Sequence, residues 1–446
     1  MGRWEFILLL AALLGWLLLT GSRSRITRLT RCLIVGGLIG ILILHMYIEQ
    51  LRWALLPLYM MVALVLSGYM RGSQSSPAPR RSGRLRPMLL RIPIVLVGVI
   101  CWTIPTSLPL FQFTPPDGPY AVGVVDYTWS DPERTEANGS HPLNLRIWYP
   151  ASGLHTAPAR YIPQYDLFVQ AVRRHYGPWA NLLTDYRNLT VPADDTAPFH
   201  PDVEKAPVVV YLHGNLLGTR FTGTFQALHL ASYGYIVVAL EHPGTAFISA
   251  VPEGEGNDTP FTDHFGGLPN TFGAHNRAAL PIIREQQADI EFVLARLRTL
   301  ARFAPDSPLA NRIDEHRVAL IGHSFGGAAA ASMLFHSSMV KAAINLDGYL
   351  YGEYPEPPPA KPLLILNGGL HIKGLEDSMA GLEEERALRE RLLEKSGAEI
   401  TLPQAGHLSF TDLPLYSPLL APIAPNIREQ HRVINEHTLR FLQKHL

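Results

Sequence analysis

The sequence predicts two parts: an all-α transmembrane region over residues 1–113, then a mostly parallel, doubly wound α/β domain over residues 114–446. Three observations carry this. Residues 1–113 hold four long apolar stretches and a formal charge of +10, from 12 arginines and two acids, while the rest of this formally neutral chain carries −10. From Pro115 onward, short apolar runs alternate with longer helical patterns, as βαβ units do. Finally, the apolar run Val318–Ile321 leads into Gly322-His323-Ser324-Phe325-Gly326-Gly327 and then Ala328–Ala331. That order writes a strand, a sharp turn and a helix around one serine, which is the context of a nucleophile elbow and of an α/β-hydrolase fold.

The apolar stretches run Trp4–Thr20, Leu33–Ile48, Trp53–Met70 and Ile92–Phe113. Each approaches the length of a helix crossing a hydrocarbon layer about 30 Å thick. Arginines crowd two of the connections, Gly21–Arg31 and Arg71–Arg91, whereas Glu49-Gln50-Leu51-Arg52 is a tight hairpin. Positive loops stay cytoplasmic, so four crossings place the N-terminus and everything after Phe113 on the opposite side of the membrane. A cleaved signal peptide is the alternative for Trp4–Thr20. Arg3 followed by Glu5 makes a poor basic leader, and no A-x-A site follows. His45 is the only histidine in the stretches, and no acid lies deep within them, so ion-coupled transport has little support.

In the second part, strands are expected at Ala121–Tyr127, Leu143–Trp148, Pro207–Leu212, Ile236–Leu240, Val318–Ile321, Ala342–Asn345, Pro362–Leu366 and Glu399–Leu402. Helical patterns lie near Thr222–Ser232, Ala278–Ala301, Gly327–Phe335 and Leu382–Ser396. Pro207–Leu212 is unbroken apolar sequence, as in a parallel strand covered on both faces. Segments 151–206 and 251–276 fall outside the alternation and are expected as lid-like insertions over the site, as is His407–Asn426. Cysteine occurs only at Cys32 and Cys101, so disulfides do not hold the larger domain. That acidic domain lacks the basic face of a nucleic-acid reader.

A serine nucleophile needs a base, an acid to orient the base, and donors for the developing oxyanion. In α/β-hydrolase folds these follow in the order Ser, acid, His. Asp347 ends the strand after the Ser324 helix, at the sheet edge where such folds place their sites. Glu376 or Asp377, after the following strand, are rival acids. His407, preceded by Gly406 on a late loop, is the expected base, with His371 as its competitor. His431, His437 and His445 lie on a terminal helical pattern and read as a solvated face. For the oxyanion, the backbone N–H groups of Phe325 and Asn215 are expected, with His213 shaping the loop rather than moving protons. Glu241-His242 could be mistaken for a metal or acid–base pair, but no zinc-ligand spacing and no H-E-x-x-H accompany it, so no metal or cofactor is expected.

The run Gly322–Gly327, together with Asn345-Leu346-Asp347, resembles the platelet-activating-factor acetylhydrolase family of type II esterases. Ala231–His242, Leu145–Pro150 and Tyr211–Gly214 are similar too, so the resemblance covers about Gly118 to Phe441. It implies a calcium-independent serine esterase acting on glycerophospholipids with a short or oxidised acyl chain, and it favours Asp347 over Glu376 or Asp377. Pro243-Gly244 after Glu241-His242, Asn215 beside the oxyanion glycine, and the four-helix region depart from the family pattern. The expected partners are therefore a lipid or small ester and the bilayer. A general carboxylesterase or dienelactone-hydrolase-like enzyme, and a non-catalytic membrane sensor, are the competing readings. The sequons at Asn138, Asn188 and Asn257 matter only in a host that glycosylates.

Overall fold

The computed structural model describes residues 2–20, 27–49, 51–71, 92–132, 134, 141–153, 157–252, 257–370 and 380–446. Most of both arginine-rich connections, Asn138, and the rivals His371, Glu376 and Asp377 lie outside the described residues. The chain forms two compact units. One comprises Met1–Leu110 with Asn181–Tyr186 and Tyr416–Leu419; the other comprises Phe111–Ala180, Arg187–Leu415 and Leu420–Leu446.

The first unit is helical: Arg3–Thr20, Arg28–Ile48, Leu56–Arg71 (entered through the 3₁₀ turn Trp53–Leu55) and Ile92–Ser107. The last helix stops short of the expected Phe113. Pro109 disfavours helical backbone at Leu108, so the helix cannot run on. Two segments, Arg28–Ile48 and Trp53–Met70, are long and apolar enough to cross a membrane, while Leu96–Ser107 is shorter. Leu8, Ala12, Leu38, Leu58 and Val65 pack inside this unit. Its polarity is nevertheless inverted relative to a water-soluble bundle. Leu14, Leu33, Ile43, Met60 and Leu64 are exposed, whereas Glu5, His45 and Arg52 are buried.

The polar groups inside satisfy one another. The Glu49 carboxylate accepts the backbone N–H groups of Trp4 and Glu5 at 3.1 and 3.0 Å, capping the first helix. Arg52 reaches Glu5 at 2.7 Å and donates to the Leu108 carbonyl at 2.8 Å. Glu49 and Arg52 are thus the polar lock of the bundle.

The second unit is built on a ten-stranded sheet: β1 (Ala121–Ser130), β2 (Pro142–Ala151), β3 (Pro158–Arg160), β4 (Thr190–Asp195), β5 (Ala206–Leu212), β6 (Ile236–Glu241), β9 (Ile313–His323), β10 (Val340–Leu346), β11 (Leu363–Gly368) and β12 (Ala398–Leu402). A separate short hairpin pairs β7 (Ile248–Ser249) with β8 (Thr259–Pro260). The order across the large sheet is β12-β11-β10-β9-β5-β6-β2-β1-β4-β3. From β12 to β6 all neighbours are parallel. β2 joins β6 and β1 antiparallel. All eight expected strands are present. The segment expected as the first lid instead adds β3 and β4 to the sheet edge and carries the helix Tyr165–Tyr176.

After β5 the chain moves to β6 on one side, and after β9 it moves to β10 on the other. The topological switch point therefore lies between β5 and β9, where open α/β sheets bind their ligands. Valine, isoleucine and leucine of these strands form the core, including Val208, Val210, Leu320, Val340 and Ile365. The helices Phe272–Arg298 and Phe325–His336 pack buried faces on the sheet unit.

A buried carboxyl group ties the late loop to this core. Asp412 accepts the Thr224 and Phe225 N–H groups at 2.8 and 3.1 Å, capping the helix Thr224–Ser232 from a distant part of the chain. Its own N–H donates to the Thr222 carbonyl at 2.7 Å. Asp412→Ala strips two buried N–H groups of their acceptor and is expected to cost about 1–3 kcal/mol. Thermal unfolding of the full chain would read this as a fall of several degrees in Tm; an unchanged Tm would refute it.

Candidate active site

Ser324 sits between β9 and the helix Phe325–His336 with φ 54° and ψ −119°, a conformation that L-residues adopt only under constraint. Close packing imposes it. A Cβ on Gly322 would lie 1.9 Å from the Gly326 carbonyl oxygen, and one on Gly326 would lie 2.4 Å from that of Leu212. Both flanking glycines are therefore required for the turn to nest against the end of β5. From the neighbouring strand, the Leu346 carbonyl accepts the Ser324 N–H at 2.8 Å.

Asp347 follows β10 and also has positive φ, 56°. Buried Asn345 fixes its turn by accepting the Gly348 N–H at 2.8 Å and donating to the Gly348 carbonyl at 3.1 Å. One Asp347 oxygen accepts the Gly368 N–H from the end of β11 at 2.7 Å. The other accepts His407 Nδ1–H at 2.7 Å. Burial pushes the carboxyl pKa up, but the hydrogen bond and charge of His407 and the Gly368 N–H outweigh it, holding Asp347 below the usual carboxylate range. With its proton committed to Asp347, His407 has Nε2 left as its basic nitrogen.

His407 opens a short 3₁₀ turn, His407–Phe410, after β12. Ser409 Oγ accepts the Gly406 N–H at 3.0 Å, and His323 Nε2–H donates to the His407 carbonyl at 3.0 Å. The His323 and His407 rings lie 4.6 Å apart between centroids. Burial and the nearby His407 depress the His323 pKa to about 3, so His323 remains a neutral donor over the working pH range. His431 departs from its expected solvated position. It is buried against the Phe225 ring with centroids 3.7 Å apart, and its Nε2–H donates to the Thr411 carbonyl at 3.0 Å. The sequence pattern did not single out His323 or Asn345 as supports: the partner of His323 comes from the loop after β12, and Asn345 acts through the turn it closes with Gly348.

Ser324, Asp347, His407, Asn215 and Phe325 line one cavity of ≈ 850 Å³. Phe325 begins its helix, so its N–H belongs to the first-turn donors that no helical carbonyl reaches. Among the described residues, neither it nor the Asn215 N–H makes a backbone hydrogen bond. Phe265, Tyr349 and Tyr351 form an aromatic wall, and Arg386 and Glu390 lie on the charged side. Phe265 comes from segment 251–276, which therefore borders the cavity; among the described residues, segment 151–206 supplies none of its lining. His213 shapes the loop, as expected, since its Nδ1–H donates to the Gly214 carbonyl at 2.9 Å. Among the described residues, no group of three or more His, Cys, Asp or Glu is placed to hold a metal ion.

Comparisons with known proteins agree with this architecture. A solved ferulic acid esterase from Streptomyces cinnamoneus superposes with a TM-score of 0.59 at 24% identity, over 76% of this chain and 94% of its own, which shows the shared fold. A guinea-pig (Cavia porcellus) platelet-activating factor acetylhydrolase is 26% identical over 56% of this chain, a match spanning 59% of that relative's length. The chicken (Gallus gallus) enzyme of the same name is 26% identical over 74% of this chain and 82% of its own. A probable 1-alkyl-2-acetylglycerophosphocholine esterase of Arthroderma benhamiae is 24% identical over 72% and 81%. The family model for platelet-activating factor acetylhydrolase, isoform II, matches residues 107–294 and 301–446, and the chain belongs to that family.

Proposed function

We propose that this protein is a membrane-anchored serine esterase that hydrolyses short-acyl, acetyl-type glycerophospholipids. The observation that carries the reading is the constrained Ser324 sharing one cavity with a His407–Asp347 pair bonded at 2.7 Å. Ser324 Oγ attacks the ester carbonyl as His407 Nε2 takes its proton. Asp347 fixes the tautomer and stabilises the imidazolium, while the N–H groups of Phe325 and Asn215 receive the oxyanion. Collapse of the tetrahedral intermediate breaks the ester C–O bond, and His407 protonates the leaving alkoxide. Water, deprotonated by His407, then attacks the acyl-serine, releasing the carboxylic acid and restoring the serine hydroxyl.

Family membership and the relatives' names support ester hydrolysis, and the aromatic wall of the cavity suits a lipid's apolar portion. The two long apolar helices, the apolar exterior of the helical unit and the +10 charge of residues 1–113 support anchoring. Cytoplasmic arginine loops would leave the hydrolase domain on the extracytoplasmic side. Tethering beside the bilayer gives lipid substrates a high effective concentration.

Activity is read with p-nitrophenyl and phospholipid esters of increasing acyl length. Ser324→Ala is expected to lose roughly 10⁴-fold or more in kcat. Equal activity in both proteins would end the serine mechanism, and a preference for soluble long-acyl esters over short-acyl phospholipids would turn the reading toward a general carboxylesterase. Asp347→Asn keeps the shape but removes the charge that sets the His407 tautomer, so kcat should drop about 10⁴-fold. A drop under tenfold would reassign the acid. Reporter fusions test the orientation: a signal from outside the cytoplasm is expected after Asp117 and a cytoplasmic one after Ser75, and the reverse after Asp117 would overturn it.

A further inference from the structure

The loop after β5 that carries Asn215 is strained and has little side-chain packing to hold it. The Leu217 N–H donates to the Asn215 carbonyl at 2.9 Å, closing a three-residue turn about Leu216. Leu216 has φ 71°, the value of the strained form of that turn, and its side chain is exposed. Something outside the turn must stabilise this backbone. Two ties come from the loop after β6: Leu216 N–H to the Thr245 carbonyl at 3.1 Å, and Phe247 N–H to the Gly218 carbonyl at 2.8 Å. A third is the bond from His213 Nδ1–H to the Gly214 carbonyl.

These ties converge on one buried carboxylate. The backbone N–H of His242 donates to His213 Nε2 at 3.1 Å, so His213 is bonded at both ring nitrogens and its tautomer is set. Burial first, then the neighbouring His242, depress the His213 pKa to about 3 and keep it in that neutral form. His242 Nδ1–H in turn donates to Asp289 Oδ2 at 2.7 Å. One turn earlier on the helix Phe272–Arg298, Gln286 donates to Thr245 Oγ1 at 3.1 Å and holds the same β6 loop. Asp289 also accepts His141 Nε2–H at 2.9 Å and an Arg134 guanidinium N–H. Its burial raises the carboxyl pKa, but the bonds from His141 and His242 outweigh this and keep it ionised. Burying such a charge costs stability even when it is paired. The arrangement is therefore better explained by the orientation it imposes than by the energy it contributes.

We propose that Asp289, His242 and His213 form a positioning chain that sets the oxyanion loop, with Asp289 as its anchor. The inference rests on the serine-esterase reading above. None of the three residues touches the reacting atoms. Their action passes through the Gly214 carbonyl and the β6 loop to the backbone at Asn215, where displacement of even about 1 Å weakens transition-state stabilisation.

The test uses the full-length chain in detergent, with Asp289→Asn, His242→Ala and His242→Asn. Functional sites are counted by exhaustive labelling of Ser324 with a fluorophosphonate, so rates refer to folded enzyme only. In Asp289→Asn and His242→Ala, kcat per labelled site should fall about tenfold or more, short of the roughly 10²–10³-fold that deleting an oxyanion donor costs. KM should stay within about twofold, and affinity for a trifluoromethyl ketone, which adds to the serine as an oxyanion, should fall in step with kcat. His242→Asn, whose amide N–H stands in for Nδ1–H, should recover most of the loss. Wild-type kcat per labelled site in Asp289→Asn and His242→Ala, with only Tm lowered, would make the chain purely structural and overturn the proposal. Failure of wild-type Ser324 to label would instead remove the esterase reading, and this inference with it.

Discussion

Ser324 is held at positive φ by contacts too close to admit a side chain, and the rest of the hydrolase unit is arranged around that constraint. β5 presses from one side through Gly326, the Leu346 carbonyl of β10 fixes the serine amide from the other, and Gly322 leaves room for the turn behind. A strained residue persists only where its surroundings over-determine it. Here they are parallel strands whose C-terminal ends meet at the switch point of the sheet. The same edge carries Asp347 at the end of β10 and the Gly368 N–H at the end of β11. The sheet register thus does for the acid what the turn does for the serine.

Around this centre, neutral histidines serve as fixed hydrogen-bonding parts. His323, His213 and His431 each bond a backbone carbonyl through a ring N–H, and each has its pKa depressed to about 3, chiefly by burial. Burial suppresses the imidazolium, so these rings hold loops without titrating at physiological pH. His407 differs, because its Nδ1 faces the Asp347 carboxylate and it lines the cavity beside Ser324. Four histidines in one unit thus take two different roles, set by what each ring faces rather than by residue type.

The helical unit follows the opposite solvent rule. Apolar side chains cover its exterior, while buried Arg52 pairs with buried Glu5 and Glu49 caps the first helix. The first N–H groups of a helix have no carbonyl within the helix to reach, and the Glu49 carboxylate accepts two of them.

By itself the sequence determined the sheet strands with strong apolar runs, the elbow at Ser324, and the order Ser324, Asp347, His407. Each of these is local: a run, a turn composition, or a residue at a strand end. It missed β3 and β4, which are short and lack a continuous apolar run; β4 forms against the edge of β1, and β3 against β4. It also read His431 as solvated, since helical periodicity does not say which elements cover a face. Tertiary structure alone decided that His323 braces His407 and that Asp289 reaches the loop after β5 through His242 and His213. Those bonds join residues from about 30 to more than 80 positions apart, brought together by strand register and crossover topology rather than by neighbouring sequence.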